Sequence, residues 1–353
     1  MTKKDKRKIF GVIAFVLLNA VVITATAMSE FGNSSEASEL SEVRIIWWLL
    51  IPAVICFLLA TLANTYKYVL MIKASYDKKE KPDNKFIWKT AWRVLMLGKY
   101  YDNVTPAAIG GQPFQIYYMH KNSKLSSGHA TSIPIVGMIV GQVGFLILAI
   151  LCFVFSNVLI KNPVLGIPAW VGLLFYAFWP VLIAGISFFP KATTRFLQSC
   201  VKILAKLKII KNRKKTLDKV ENNVIEYANS IKTIAKTKGL LAKLTVLATI
   251  FSALTAMIPF FVLTAFGGEV GFLECFAMTM AVMSAVYFVP TPGNAGAAEG
   301  AFFLVFSALS SGYVFWAMLI WRFFSYYIYI IIGLVIYFRM HLEKKGGIIK
   351  SHV

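Results

Sequence analysis

Acidic side chains are scarce in this chain. Sixteen Asp and Glu stand against 37 Lys and Arg, a net charge of +21 over 353 residues. Cysteine is thin as well. Cys56, Cys152, Cys200 and Cys275 are scattered and form no C-x-x-C pair, which argues against a disulfide framework or a zinc site. The four histidines, His120, His129, His341 and His352, have no metal-ligand spacing. No G-x-x-x-x-G-K-S/T loop is present, so nothing points to nucleotide-driven work. No cofactor and no metal are expected. What the chain has in quantity is apolar surface: 58% of its residues are hydrophobic.

A soluble protein this basic would suggest nucleic acid as a partner. Here the basic residues fall between long apolar runs, so the positive-inside rule and anionic lipid explain them and DNA is not an expected partner. The start MTKKDKRK followed by Ile9–Met28 is too long for a cleavable signal and reads as an anchored first span. Further spans are expected at Ile45–Met71, Ser126–Phe155, Leu165–Phe189, Leu240–Phe266 and Tyr313–Tyr337. Between them, Phe86–Lys121 is semi-polar and broken, and Phe272–Leu309 is apolar but broken at Pro290–Gly296.

The two breaks carry matching sequences. Thr105-Pro106-Ala-Ala-Ile-Gly110 and Thr291-Pro292-Gly-Asn-Ala-Gly296 share the spacing T-P-x-x-x-G, and they hold the only two Thr-Pro pairs in the chain. Threonine is a good helix N-cap and proline suits the first helical position, so each pair reads as the start of a short helix at membrane depth. Broken backbone at that depth is tolerated where protein buries it or where it lines a watery cavity. Paired breaks in corresponding halves are a pointer to a transport site. The plainer alternative is that Pro and Gly are simply common in membrane helices.

Charge bias sets an expected topology. The N-terminus, residues 73–89, 191–238 and the C-terminus are basic and expected in the cytoplasm; 29–44, 157–163 and 267–271 are expected outside. This holds if 86–121 and 272–309 are re-entrant hairpins entering from opposite sides. The expected fold is therefore an all-α polytopic membrane protein with about six full spans and two broken-helix hairpins. Residues 1–163 and 164–353 would form an inverted-topology repeat. The segment 191–238 has thirteen Lys and Arg against three acids. Leu217, Val220, Val224, Tyr227, Ile231 and Ile234 recur there at helical spacing, which suits an amphipathic surface helix or a solvated linker packed on the bundle.

Polar residues near the breaks are the candidate site. Arg322 lies nine residues into its span, where a charge is costly and by default functional. Its nearest candidate partner is Glu299. The two either form a structural ion pair, or Arg322 holds an anionic head group while Glu299 tunes it. Arg93, Lys99, Asp102, Asn103 and Gln112 surround the first break. Arg93 suits phosphate through its planar fork, although Arg93 and Lys99 also fit as residues that snorkel to the interface. The free N–H groups of each restarted helix favour anions. Thr105, Pro106, Gly110 and Gly111 in the first break, and Pro290, Thr291, Pro292, Gly293 and Gly296 in the second, would form the broken backbone. The alternative for these glycines is tight helix packing.

Arg93 followed by Asn103-x-x-Pro106-x-x-x-Gly110-Gly111, with Pro290-Thr-Pro292-Gly293-x-x-Gly296-x-x-Glu299, resembles the lysylphosphatidylglycerol synthase transmembrane-region family. The resemblance covers nearly the whole chain and includes the membrane part of the bacterial multiple peptide resistance factor. It implies a bacterial inner-membrane protein, both termini cytoplasmic, that moves a phospholipid between leaflets. That lipid would be lysyl-phosphatidylglycerol or another charged or glycosylated lipid. The alternatives are a phosphatidylglycerol lysyltransferase, as many members are named, and a membrane scaffold for a separate lipid-modifying synthase. Homo-oligomers are a further option. Set against the fused resistance factor, the stretch from Lys345 to Val353 is expected to leave no room for an acyltransferase domain. The chain also has Asn294 where a second glycine is usual, and Gln112 where an acid often follows the glycine pair.

Overall fold

The computed structural model describes residues 24, 45–76, 82–108, 110–123, 125–156, 163–206, 216–218, 221–222, 224–225, 239–308 and 313–350. Among the described residues every regular element is helical. The expected span Ile9–Met28, the acidic loop after it and most of 207–238 lie outside them.

Among the described residues five helices are long and apolar enough to cross a membrane: Trp47–Ala74, Ser127–Phe155, Leu165–Leu182, Leu240–Ala265 and Val314–Met340. The chain is thus an all-α polytopic membrane protein. In chain order, α1 is Leu50–Ala74, led in by a 3-10 turn at Trp47–Leu49. Next come α2 (Asn84–Val104), α3 (Gly111–Asn122) and α4 (Ser127–Phe155). They are followed by α5 (Pro163–Phe188), α6 (Pro190–Lys206), α7 (Leu240–Ala265), α8 (Phe272–Ala285) and α9 (Ala297–Ser307). The last run is α10 (Val314–Arg322), a π-helical turn at Phe323–Tyr327, and α11 (Ile328–Lys350).

Helices α1 and α7 pack along each other at the centre, and α4 lies against α7. Small residues bring these axes close. A side chain at Gly144 would meet the backbone of Ala248 and Thr249 at 2.7–2.8 Å, and one at Gly172 on α5 would run into the Ser284 carbonyl on α8. Glycine here removes side-chain bulk where two backbones meet, the usual device for helix association in lipid. The outer face of α1 carries exposed Ile51, Ile55, Leu58 and Leu62, while its inner face buries Asn64, Lys67 and Tyr68. Apolar-out and polar-in is the polarity of a membrane bundle around a polar interior. The backbone N–H of Ile46 donates to Ala265 O at 2.9 Å, and that of Tyr313 to Phe266 O at 3.3 Å. These bonds tie the entries to α1 and α10 to the end of α7.

Only part of the amphipathic stretch proposed within 191–238 is described. Its first piece, α6, has Val201 buried and Phe196 and Ile203 exposed. Of the periodic set, Val224 is buried, and Tyr227, Ile231 and Ile234 lie outside the described residues.

Candidate functional site

Both breaks exist, and each has a fixed internal chemistry. After α2 the chain makes a 3-10 turn at Pro106–Ala108 before α3 begins at Gly111. The Thr105 hydroxyl donates to Tyr101 O at 2.7 Å and accepts from the Gly110 N–H at 2.9 Å. The Gly111 N–H donates to Asp102 Oδ1 at 2.9 Å. After α8 the chain makes a second 3-10 turn at Pro292–Asn294, and α9 begins at Ala297. Here the Gly296 N–H donates to Glu299 Oε2 at 2.8 Å.

A short helix does open at each Thr-Pro pair, with Thr291 at the N-cap position of the second though without a side-chain cap bond. The Thr-Pro pairs open only one tight turn, and the lasting helices start five or six residues later. In both cases a carboxylate, Asp102 or Glu299, receives an N–H at the restart. Such N–H groups lack intrahelical partners, and a negative charge also suits the helix dipole there. The two threonines are not equivalent, because buried Thr291 Oγ1 has no hydrogen-bond partner.

The second break is held by a buried ion pair. Arg322 Nε donates to Glu299 Oε1 at 2.7 Å, with the side chains 5% and 2% exposed. Arg322 also donates through Nη2 to Gly293 O at 3.3 Å, and its guanidinium lies 4.3 Å from the Tyr326 ring centroid. Of the two roles open to Arg322, this geometry is that of an internal pair. Gly293 and Asn294 both have φ of +57°, in the left-handed region. Asparagine is among the few side chains that tolerate it. Asn294 Nδ2 donates to Val286 O at 2.8 Å. The departure from glycine at 294 therefore keeps the backbone shape of the break.

The two breaks meet: the Pro106–Ala108 turn packs against the Pro292–Asn294 turn. Tyr326, 1% exposed, joins them. Asn103 Nδ2 donates to Tyr326 O at 3.1 Å, and the Tyr326 hydroxyl donates to Asn103 O at 3.4 Å. A side chain at Gly293 would strike the Tyr326 ring. Sequence reading missed Tyr326, although its place one helical turn after Arg322 was a usable signal.

Other expected residues stand further out. Arg93 is half-buried on α2, roughly 15 Å along the helix axis from Asn103 at 1.5 Å per residue. Gln112 is half-buried in the first turn of α3. Sequence reading also passed over a buried polar group behind the first break. Gln115 donates to Val94 O at 3.1 Å and sits against the Tyr68 hydroxyl. Gln142 Nε2 donates to the Tyr287 hydroxyl at 2.7 Å, and the Tyr287 ring stacks on Tyr176. Lys67 lies 4% exposed between α1 and α4. A lysine inside an apolar span was its signal, but a position near the end of that span looks like a snorkelling site.

The comparisons agree with this architecture. No curated protein and no solved structure matches the chain. A family model does match, over residues 9–333, and it describes the lysylphosphatidylglycerol synthase TM region. That match takes in both breaks, the polar helices behind them and all but the end of the last span. The chain, a multi-pass membrane protein, belongs to the lysylphosphatidylglycerol synthase transmembrane-region family.

Proposed function

We propose that the protein is a lipid translocase of the bacterial cytoplasmic membrane, carrying a charged phospholipid head group between leaflets. The observation that carries this reading is the meeting of two broken helices among buried polar groups, inside a bundle whose outer faces are apolar. Irregular backbone at such depth is the usual location of a transporter's binding site. The reading places the halves 1–163 and 164–353 as inverted repeats with both termini cytoplasmic. The close pairing of α1 with α7 and of turn with turn supports that relation, because equivalent elements meet at the axis of such a repeat.

In this reading the acyl tails stay in lipid and the head group passes between the hairpins. Arg322 and Glu299 keep the second break in shape rather than engaging phosphate, since each already spends its charge on the other. Asp102 and Asn103 stand at the first break, where a passing head group would meet them. Its partners are membrane phospholipids, with a separate synthase as the source of any aminoacylated lipid.

The test is leaflet transfer of labelled phosphatidylglycerol and lysyl-phosphatidylglycerol in proteoliposomes of the purified chain. Transfer above protein-free vesicles is expected. A rate equal to the protein-free control for both lipids would sink the proposal. Label passing from lysyl-tRNA into phosphatidylglycerol would instead identify a transferase.

A further inference from the structure

Lys67 is a buried lysine with no acid within salt-bridge distance among the described residues. Its ammonium donates to Gly137 O at 3.1 Å and stands 5.5 Å from the Tyr68 ring centroid. An ammonium has three donors, so this leaves two. Among the described residues the buried ion pair is Arg322 with Glu299, on another part of the bundle. Lys99 on α2 lies within electrostatic reach of Lys67. Lys99 rests over the rings of Phe251 at 5.5 Å and Tyr329 at 6.0 Å. The acid within electrostatic reach of Lys99 is Asp102, and one Asp102 oxygen is already given to the Gly111 N–H. Two lysines thus lie within electrostatic reach of each other in the interior of a membrane bundle. An anion placed beside a buried lysine favours its charged form.

Room and acceptors lie beside it. A side-chain carbon built on Gly141 would stand 3.7 Å from Lys67 Nζ and would meet nothing else within 4 Å. One turn before Lys67, buried Asn64 keeps its Oδ1 without a partner, and next to Gly141 buried Gln142 keeps its Oε1 without one. Orphaned buried acceptors are uncommon and ask for donors. The facing turns of α1 and α4 therefore combine a buried lysine, space beside Gly141 and two carbonyl acceptors. A phosphodiester bearing hydroxyl groups satisfies all three.

We propose that Lys67 and Lys99 bind the phosphate of a lipid with a hydroxylated head group, whose hydroxyls donate to Asn64 and Gln142. This rests on the translocase reading. The Lys67 ammonium supplies charge-assisted donors to the phosphate oxygens, the strong class of hydrogen bond.

The experiment is native mass spectrometry of the purified full chain with phosphatidylglycerol, phosphatidylcholine or inorganic phosphate, on wild type, Lys67→Met, Lys67→Arg and Gly141→Val. Wild type is expected to retain phosphatidylglycerol over phosphatidylcholine. Lys67→Met and Gly141→Val should each weaken phosphatidylglycerol binding by about tenfold or more, while Lys67→Arg keeps most of it. Thermal unfolding on the same samples checks that Lys67→Met is folded, as expected when a buried charge becomes an apolar chain of similar length. Unchanged phosphatidylglycerol binding by folded Lys67→Met overturns the site. So does inorganic phosphate that binds as tightly as the lipid and displaces it. Lys67-dependent binding with no leaflet transfer removes the translocase reading and leaves the site. Transfer intact in Lys67→Met does the reverse.

Discussion

Glu299 shows how much one side chain can hold at this depth. One oxygen takes the first N–H of the α9 restart and the other takes Arg322, so the carboxylate is shared between backbone and cation. Breaking a buried pair on one side costs about 3–5 kcal/mol, because the remaining charge is left uncompensated. Arg322→Met should therefore lower stability by that order, and adding Glu299→Gln should recover part of it. A double-mutant cycle by thermal unfolding in detergent reads the difference; additive losses would count against the pair. Gly293 makes a second residue-scale case. Its φ is left-handed and its Cα faces the Tyr326 ring, so Gly293→Ala should cost about 1–3 kcal/mol. Gly185→Ala, with nothing within 4 Å of the added carbon, should stay within about 0.5 kcal/mol. Equal melting temperatures for these two variants would contradict the contact.

At the scale of elements, the matched Thr-Pro turns differ in what their threonines do. Thr105→Val removes the acceptor of the Gly110 N–H and should cost about 1 kcal/mol. Thr291→Val removes an oxygen that has no partner and should be neutral or stabilising. Chemical denaturation of both variants separates them, and equal losses would show that the turns work alike. Five of the six expected spans fall among the described residues and are legible in the sequence. Ser126–Phe155 was expected and Ser127–Phe155 is found; Leu240–Phe266 was expected and Leu240–Ala265 is found. An apolar run of bilayer length leaves little choice of boundary. The positions of the breaks were legible for a similar reason, since Pro and Gly interrupt such runs visibly. Their caps were not. The bond from Gly111 to Asp102 spans the turn, and nothing periodic in the sequence marks it. Tyr326 and Lys67 were obscured by tertiary contact: one reaches a residue 223 positions away and the other a residue 70 positions away.

At the scale of the molecule, the expected arrangement fixes which loops share a side. Asp83 before α2 and Glu269 between α7 and α8 are both exposed. With single cysteines at these positions in a cysteine-free chain, Asp83→Cys should react with an impermeant thiol reagent only after the cytoplasmic side is opened. Glu269→Cys should react in intact cells. Labelling of both from one side would overturn the hairpin topology. The meeting of the breaks has its own meaning at this scale. Tyr326 grips the end of α2, where it leads into the first turn, through two hydrogen bonds to Asn103, and faces the second turn with its ring, so neither turn can slide without disturbing that one residue. The two breaks are thus geared at a single tooth: a shift of either turn has to be carried through Tyr326 to the other.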